Sequence, residues 1–252
     1  IGRESQLKML HQVQPRQRNT QEPNAVFVSG RRGEGKTTLA NRFLSEVRRD
    51  GAALVLLCRC YDRESVPFKA IDCLIDSLVS FLRSRTIDEV HQWLPEDIGM
   101  LAQLFPVLRR VEAIADRVSV NVAGIDSRQI RYRAFAALRE LLLTLSGTKP
   151  MILFVDDLQW GDADRAAALH EVLKPPDAPK GRLLGTFRSD EADESPFLME
   201  WRGRQPDEDR PLHEQRIEVA PLTEDQCLNL ISDRLNVAVD SLRERAHKLF
   251  QD

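Results

Sequence analysis

No apolar run in this sequence approaches the roughly 20 residues that a membrane-spanning helix needs. The N-terminus also lacks the charged-then-apolar pattern of a secretory signal. These absences make the cytoplasm the expected location, with no membrane partner. Cysteine is scarce, and Cys58, Cys60, Cys73 and Cys227 have no disulfide-framework spacing. Cys58 and Cys60 lie two apart in an apolar run, and the scattered histidines do not supply the about four ligands of a zinc site, so buried free thiols are expected. Charge of one sign is lacking too. A net charge of -3 with no concentrated basic stripe argues against nucleic acid as a partner. The remainder, 252 residues with 42% hydrophobic and 30% charged, holds enough apolar material for one large globular domain or one and a fraction. Opening at Ile1 without Met and closing at Asp252 inside a helical pattern, the chain reads as a segment of a longer protein.

The most informative stretch runs from Ala25 to Thr38. An apolar strand, Ala25-Val26-Phe27-Val28, leads into Gly30-Arg31-Arg32-Gly33-Glu34-Gly35-Lys36-Thr37, a full match to G-x-x-x-x-G-K-[ST]. Gly30, Gly33 and Gly35 allow sharp backbone turns with nothing in the way, so successive N–H groups can face an anion. Leu39, Ala40, Phe43, Leu44 and Val47 then recur at helical spacing, with Arg48 and Arg49 in the last turn and Gly51 as a stop. Strand, phosphate loop and helix therefore occur in the order that a nucleotide cradle requires. Lys36 is expected on the β- and γ-phosphates, Thr37 on a Mg2+ ion bridging them, and Thr38 on the α-phosphate. Glu34 is counted with the loop residues at the nucleotide, and Arg31 and Arg32 are expected to face solvent or a partner.

Along the rest of the chain, strands alternate with helices. A short helix with Leu7 and Leu10 on one face precedes a polar loop at 16–23. The run Ala53–Cys58 reads as a parallel strand covered on both faces. Ile71, Leu74, Ile75, Leu78, Val79 and Leu82 form a helical stripe after Pro67. Leu101, Leu104, Phe105 and Leu108 form another that Pro106 interrupts. A third runs from a cap near Asp126 or Ser127 through Ile130, Phe135, Leu138, Leu141, Leu142 and Leu145 to a stop at Gly147. Pro150–Asp157 and Arg182–Arg188 read as strands, and Ile217-Glu218-Val219 as a shorter one. Residues 190–214, rich in charge, Pro and Gly, read as an exposed mobile loop. From Leu222 the pattern is helical again, first with Cys227, Leu228, Leu230, Ile231 and Leu235 and later with Leu242, Ala246 and Leu249. The alternation predicts a three-layer α/β/α P-loop fold with a mostly parallel sheet of about five strands. Residues 1–220 form its nucleotide-binding domain with a helical insertion at about 62–149, and 221–252 begin a second, helical subdomain.

In such sheets ligands bind beyond the carboxyl ends of the strands, and three candidate residues fall there. Asp156 is placed to hold the metal, largely through bound water. Asp157 is placed to orient or deprotonate a water, with Asp162 as a substitute whose alternative role is a helix N-cap. Arg188 either reads the γ-phosphate or makes a surface ion pair with Asp190 or Glu191. The site's catalytic set is thus Lys36, Asp157 and Arg188. An Asp at 157 must reach further than a Glu, which implies slow hydrolysis. No Asn/Thr-Lys-x-Asp guanine signature occurs, so ATP is favoured.

Taken together, Gly2-Arg3-Glu4, the loop from Gly30 to Thr37, Phe154-Val155-Asp156-Asp157-Leu158-Gln159-Trp160-Gly161-Asp162, Gly185-Thr186-Phe187-Arg188 and Pro221-Leu222-Thr223-Glu224-Asp225 resemble the signal-transduction ATPases with numerous domains. That branch is related to the AAA+ and origin-recognition-like ATPases. Cys60–Ala70 resembles a segment of such domains fused to bacterial serine/threonine kinases. The resemblance implies that Arg3 frames the nucleotide site, that a helical lid closes over ATP, and that ATP and Mg2+ switch a multidomain signalling protein. Its partners would be other domains of the same polypeptide, including an N-terminal kinase and C-terminal helical repeats, with nucleotide-dependent self-association. Two further readings stand beside it: a scaffold that binds nucleotide without turning it over, and a DNA-loading ATPase.

Overall fold

The computed structural model describes residues 2–13, 25–62, 69–117, 126–173, 178–204, 214–236 and 238–239. The polar loop at 16–23, Pro67, and the stripe residues Leu242, Ala246 and Leu249 lie outside the described residues. So does most of the Cys60–Ala70 segment.

Five strands, β1 (Ala25–Gly30), β2 (Leu54–Arg59), β3 (Met151–Asp156), β4 (Gly181–Arg188) and β5 (Glu214–Glu218), form one sheet in the order β2-β3-β4-β1-β5. Every pairing is parallel, a stricter result than the expected mostly parallel sheet. The helices are α1 (Glu4–Gln12), α2 (Lys36–Arg49), α3 (Lys69–Arg83), α4 (Ile87–Trp93), α5 (Ile98–Leu104), α6 (Glu112–Ala115), α7 (Ser127–Thr148), α8 (Ala163–Leu173), α9 (Pro196–Gly203) and α10 (Glu224–Leu235).

Alternation along the strands divides the core in two. Val26, Val28, Val55, Ile152, Phe154, Leu184 and Ile217 pack on α1 and α2 through Leu7, Leu10, Leu39, Phe43 and Val47. Ala25, Phe27, Leu56, Leu153, Val155, Leu183 and Phe187 face the other way, onto α3, α5, α7, α8 and α9. Three layers result. The central strands β1 and β3 are buried along their whole length. β2 is an edge strand, yet both its faces are covered as expected, Val55 packing into one core and Leu56 and Cys58 into the other, with Leu54 and Leu57 half-buried.

Several local readings need correction. Residues 190–214 are not one exposed loop, because Ser195 caps α9 by accepting from the Leu198 N–H at 3.3 Å, with Pro196 in its first turn. α9 buries Phe197, Leu198 and Trp201, and Trp201 meets Phe27 edge to face at 5.8 Å. Gly147 does not stop α7, which continues to Thr148. The chain leaves the helix at Lys149, extended at φ -155° and ψ 133°, because the following Pro150 disfavours helical backbone at that position. α4 was not foreseen, although Thr86 and Glu89 form a full capping box at its start.

The expectation of four buried free thiols also fails. Cys60 is buried and free, Cys227 is free but exposed, and Cys58 at the end of β2 is disulfide-bonded to Cys73 in α3. The cross-link fastens the edge strand to the helix that covers it. With a sequence separation of 15 it should contribute about 3 kcal/mol in the chain-entropy account. Under non-reducing conditions Cys73→Ser is therefore expected to lose about 3 kcal/mol in a denaturant titration, and a dithiol reductant should erase the difference. Equal stability of the two proteins without reductant would contradict the cross-link.

Candidate functional site at the carboxyl rim of the sheet

Parallel register brings four strand ends to one rim: Gly30 lies opposite Arg188, and Arg59 opposite Asp156. The phosphate loop begins where β1 ends. Gly33 and Gly35 hold φ of 82° and 88°, left-handed backbone that a side chain would strain. Gly30 is constrained differently, since a Cβ there would sit 2.4 Å from the Val219 carbonyl oxygen. That close approach follows from the Val219 N–H donating to the Ser29 carbonyl at 2.7 Å, which extends pairing beyond β5.

The loop is fastened from outside. Arg3 donates through Nη2 to the carbonyl of Glu34 at 3.0 Å and to that of Ala220 at 2.5 Å, tying the start of α1, the loop and the end of β5 together. The Glu34 carboxylate accepts from the Arg31 N–H inside the loop. Arg31, Arg32 and Thr38 are exposed. Lys36 is buried at 7% exposure, and its Nζ donates to the Arg31 carbonyl at 2.8 Å. Burial holds its ammonium below the ordinary lysine range; Asp157 and Glu34 oppose that shift, and Arg188 adds to it.

Asp156 and Asp157 are both buried. Asp156 Oδ1 accepts from Thr37 Oγ1 at 2.9 Å and from Thr186 Oγ1 at 2.6 Å. One carboxylate oxygen thereby joins the first turn of α2, β3 and β4. Thr186 Oγ1 also accepts from the Asp157 N–H at 3.0 Å. Asp157 sits in left-handed backbone at φ 58°, unusual for a residue with a side chain, which turns its carboxylate back toward the rim. Its Oδ2 accepts from Arg59 Nη2 at 2.9 Å and its Oδ1 from Gln159 Nε2 at 3.2 Å. Arg59 Nε also lies 3.9 Å from Asp156 Oδ2, and the bond to Asp157 raises the guanidinium's pKa.

Arg188 takes up the ion pair foreseen as its alternative, with Glu191 at 2.5 Å, and lies 4.9 Å over the Trp160 ring. Its N–H donates to Gln159 Oε1 at 3.1 Å. Asp162 does not face the rim chemistry: its Oδ1 accepts from the Arg165 N–H at 2.6 Å and caps α8. The buried Arg165 guanidinium rests on the Cys60 thiol, whose pKa burial pushes up to about 11, so the thiol stays neutral.

Lys36, Thr37, Asp156, Asp157 and Arg188 thus share one rim, with Arg3 bracing the loop from α1 and the Glu34 carboxylate turned into the loop. Sequence reasoning missed Arg59, Gln159 and Thr186. Arg59 ends the apolar run of β2, and Gln159 and Thr186 lie inside the two stretches that carry the family resemblance, so those positions were the available signal.

A divalent cation fits here. The Thr37 hydroxyl and the Asp156 carboxylate converge at 2.9 Å, about the spacing of adjacent oxygens around an octahedral Mg2+ with bonds near 2.1 Å. Among the described residues no group of three or more His, Cys, Asp or Glu could hold a metal by itself. Such an ion would take its other oxygens from phosphate and water, as Mg2+ at nucleotide sites does.

An all-parallel five-strand sheet carrying a glycine loop before a helix and an acidic strand end defines an α/β P-loop nucleoside-triphosphate-binding fold. Residues 1–184 match the AAA ATPase domain family, and the chain belongs to it. No curated protein matches the chain. Among solved structures it is similar to Cdc6p from Pyrobaculum aerophilum, with 15% identity over 92% of this chain and 48% of that one, at a TM-score of 0.48. It is also similar to a DNA replication initiation factor, with 14% identity over 99% and 60% of the two chains and a TM-score of 0.43. A Drosophila ORC structure bound to DNA matches with 15% identity over 92% and 46%, at a TM-score of 0.44. The chain spans about half the length of the Cdc6p and ORC chains.

Because the buried Lys36 ammonium is held below its ordinary pKa of 10.5, its charge costs stability at neutral pH, and that cost is relieved only as the pH rises toward 10.5. Lys36→Met is accordingly expected to melt at or above the wild-type temperature at pH 7. The same substitution should weaken nucleotide binding at least about 100-fold, or roughly 2.7 kcal/mol, in a calorimetric titration. A variant that binds as the wild type does would remove Lys36 from the site.

Proposed function

We propose that the chain is an ATP-binding, slowly hydrolysing switch module of a multidomain signalling protein. The observation that carries this reading is the shared carboxylate oxygen of Asp156, which holds the loop hydroxyl of Thr37 and the β4 hydroxyl of Thr186 at one point. Residues 1–220 serve as the nucleotide-binding domain, with 62–149 as a helical insertion, and residues 221–252 begin a lid.

In this reading the loop amides and Lys36 bind the phosphates, Arg3 braces the loop, and Thr37 with Asp156 holds Mg2+. When bound, the ion neutralises phosphate charge. Two of the carboxylate's roughly four acceptor sites on Asp157 are used by Arg59 and Gln159, which leaves room for a water. Asp157 takes a proton from that water as its oxygen forms a bond to the γ-phosphorus. The bond from that phosphorus to the bridging oxygen breaks, and ADP leaves. Arg188 exchanges Glu191 for the γ-phosphate, and the segment after β4 reports the change.

Membership of the AAA ATPase domain family supports ATP as the nucleotide. The finer assignment, to the signal-transduction ATPases with numerous domains and to a fusion with a serine/threonine kinase, rests on the motif resemblance. So does nucleotide-dependent self-association. Among the described residues no helix is long and apolar enough to cross a membrane. A cytoplasmic location would keep Cys58 and Cys73 reduced in the cell.

Asp157→Asn keeps the shape and removes the base. Its turnover of ATP should fall about 100-fold or more, while its ATP affinity stays within about threefold of wild type. If the full chain binds MgATP but releases no phosphate, and the substitution changes nothing, the protein is a nucleotide-dependent scaffold instead.

A further inference from the structure

Gln159 is a buried amide whose two ends meet two different parts of the rim. Its Nε2 donates to Asp157 Oδ1 at 3.2 Å, and its Oε1 accepts from the Arg188 N–H at 3.1 Å. The orientation of the amide is forced, because a carboxylate only accepts and a peptide N–H only donates; reversing it would set like against like at both ends. The next peptide bond of the same segment belongs to the phosphate loop, as the Ser189 N–H donates to the Gly30 carbonyl at 3.1 Å. Three hydrogen bonds in series therefore run from the start of the loop, through the end of β4, to the carboxylate of Asp157.

The surroundings of Gln159 are fixed as well. It lies in a single 3-10 turn, Leu158–Trp160, whose Leu158 carbonyl accepts from Ser195 Oγ at 3.1 Å and whose Trp160 ring lies under the Arg188 guanidinium. A glutamine placed only to fill space would need its polar atoms satisfied by any nearby backbone. This one is satisfied by the candidate base and by the backbone of the candidate γ-phosphate reader.

We propose that Gln159 is a positioning residue that couples the end of β4 at Arg188 to the orientation of the Asp157 carboxylate. When Arg188 and its strand end shift on meeting a γ-phosphate, the amide carries that shift to Oδ1 while Arg59 retains Oδ2. The base is then aligned only when a triphosphate is present. This inference rests on the reading of Asp157 as base given under Proposed function.

Two variants separate the halves of the relay. Gln159→Leu removes both bonds, whereas Gln159→Glu keeps an acceptor for the Arg188 N–H but sets a carboxylate against Asp157. In the full chain both should lower kcat at least about tenfold with KM for MgATP within about twofold, and Gln159→Leu should keep thermal stability near that of wild type. Hydrogen exchange at the Arg188 amide should quicken in Gln159→Leu but not in Gln159→Glu. Unchanged kcat in both variants overturns the proposal, as does a joint fall of kcat, affinity and stability, which marks a structural role only. If wild type binds MgATP without turnover, the hydrolytic reading fails by itself. The relay is then judged by whether ATP alters exchange at Arg188 in wild type and not in Gln159→Leu; an equal response in both overturns it.

Discussion

One oxygen atom organises the rim. Asp156 Oδ1 accepts from the hydroxyls of Thr37, 119 positions away in the first turn of α2, and of Thr186, 30 positions away in β4. A buried carboxylate needs hydrogen-bond partners, so satisfying Asp156 holds the start of α2 and the carboxyl ends of β3 and β4 at a common level. The parallel register supplies that alignment, and the apolar residues beneath it make slippage costly: moving a strand by one position would exchange its core face for the opposite one.

The charges at the rim nearly balance without a ligand. Lys36, Arg59 and Arg188 face Asp156, Asp157 and Glu191, with Glu34 turned into its own loop. Two of the cations hold a partner that a polyanion can replace, Lys36 a loop carbonyl and Arg188 a glutamate, while Arg59 keeps Asp157. Binding a triphosphate with its metal is then an exchange of partners within a built site rather than the burial of new charge, which limits its desolvation cost. The αL backbone of Asp157 is held by hydrogen bonds to Thr186, Arg59 and Gln159, as strained positions at working sites usually are.

Much of this arrangement is legible in local sequence. The phosphate loop and the Asp-Asp strand end are contiguous patterns in which each residue's chemistry and its neighbours' periodicity agree. Arg59 is not legible that way, because its partner Asp157 is 98 positions distant and the edge-strand register that joins them is a property of the sheet. α9 was hidden because the charged residues around it outweigh Phe197, Leu198 and Trp201 in any window average, although Ser195-Pro196 is a helix start. The Cys58–Cys73 pair, 15 residues apart, depends on the packing of α3 on β2 and has no spacing signature of its own. Asp162 and Arg188 show the converse limit: the residues were found, but only geometry separates a helix cap or an ion pair from a role at the site.

The central claim, that the loop and the acidic strand end form a single seat for triphosphate and metal, is tested most directly by the coupling between Mg2+ and ATP. Calorimetric ATP affinity with Mg2+ and with a chelator, compared between wild type and Asp156→Asn, gives that coupling as a ratio of ratios. The account predicts that Mg2+ tightens ATP binding at least about tenfold in wild type, or roughly 1.4 kcal/mol, and that most of this gain is lost in Asp156→Asn. ATP affinity that is indifferent to Mg2+, or a gain that survives the substitution intact, would contradict it.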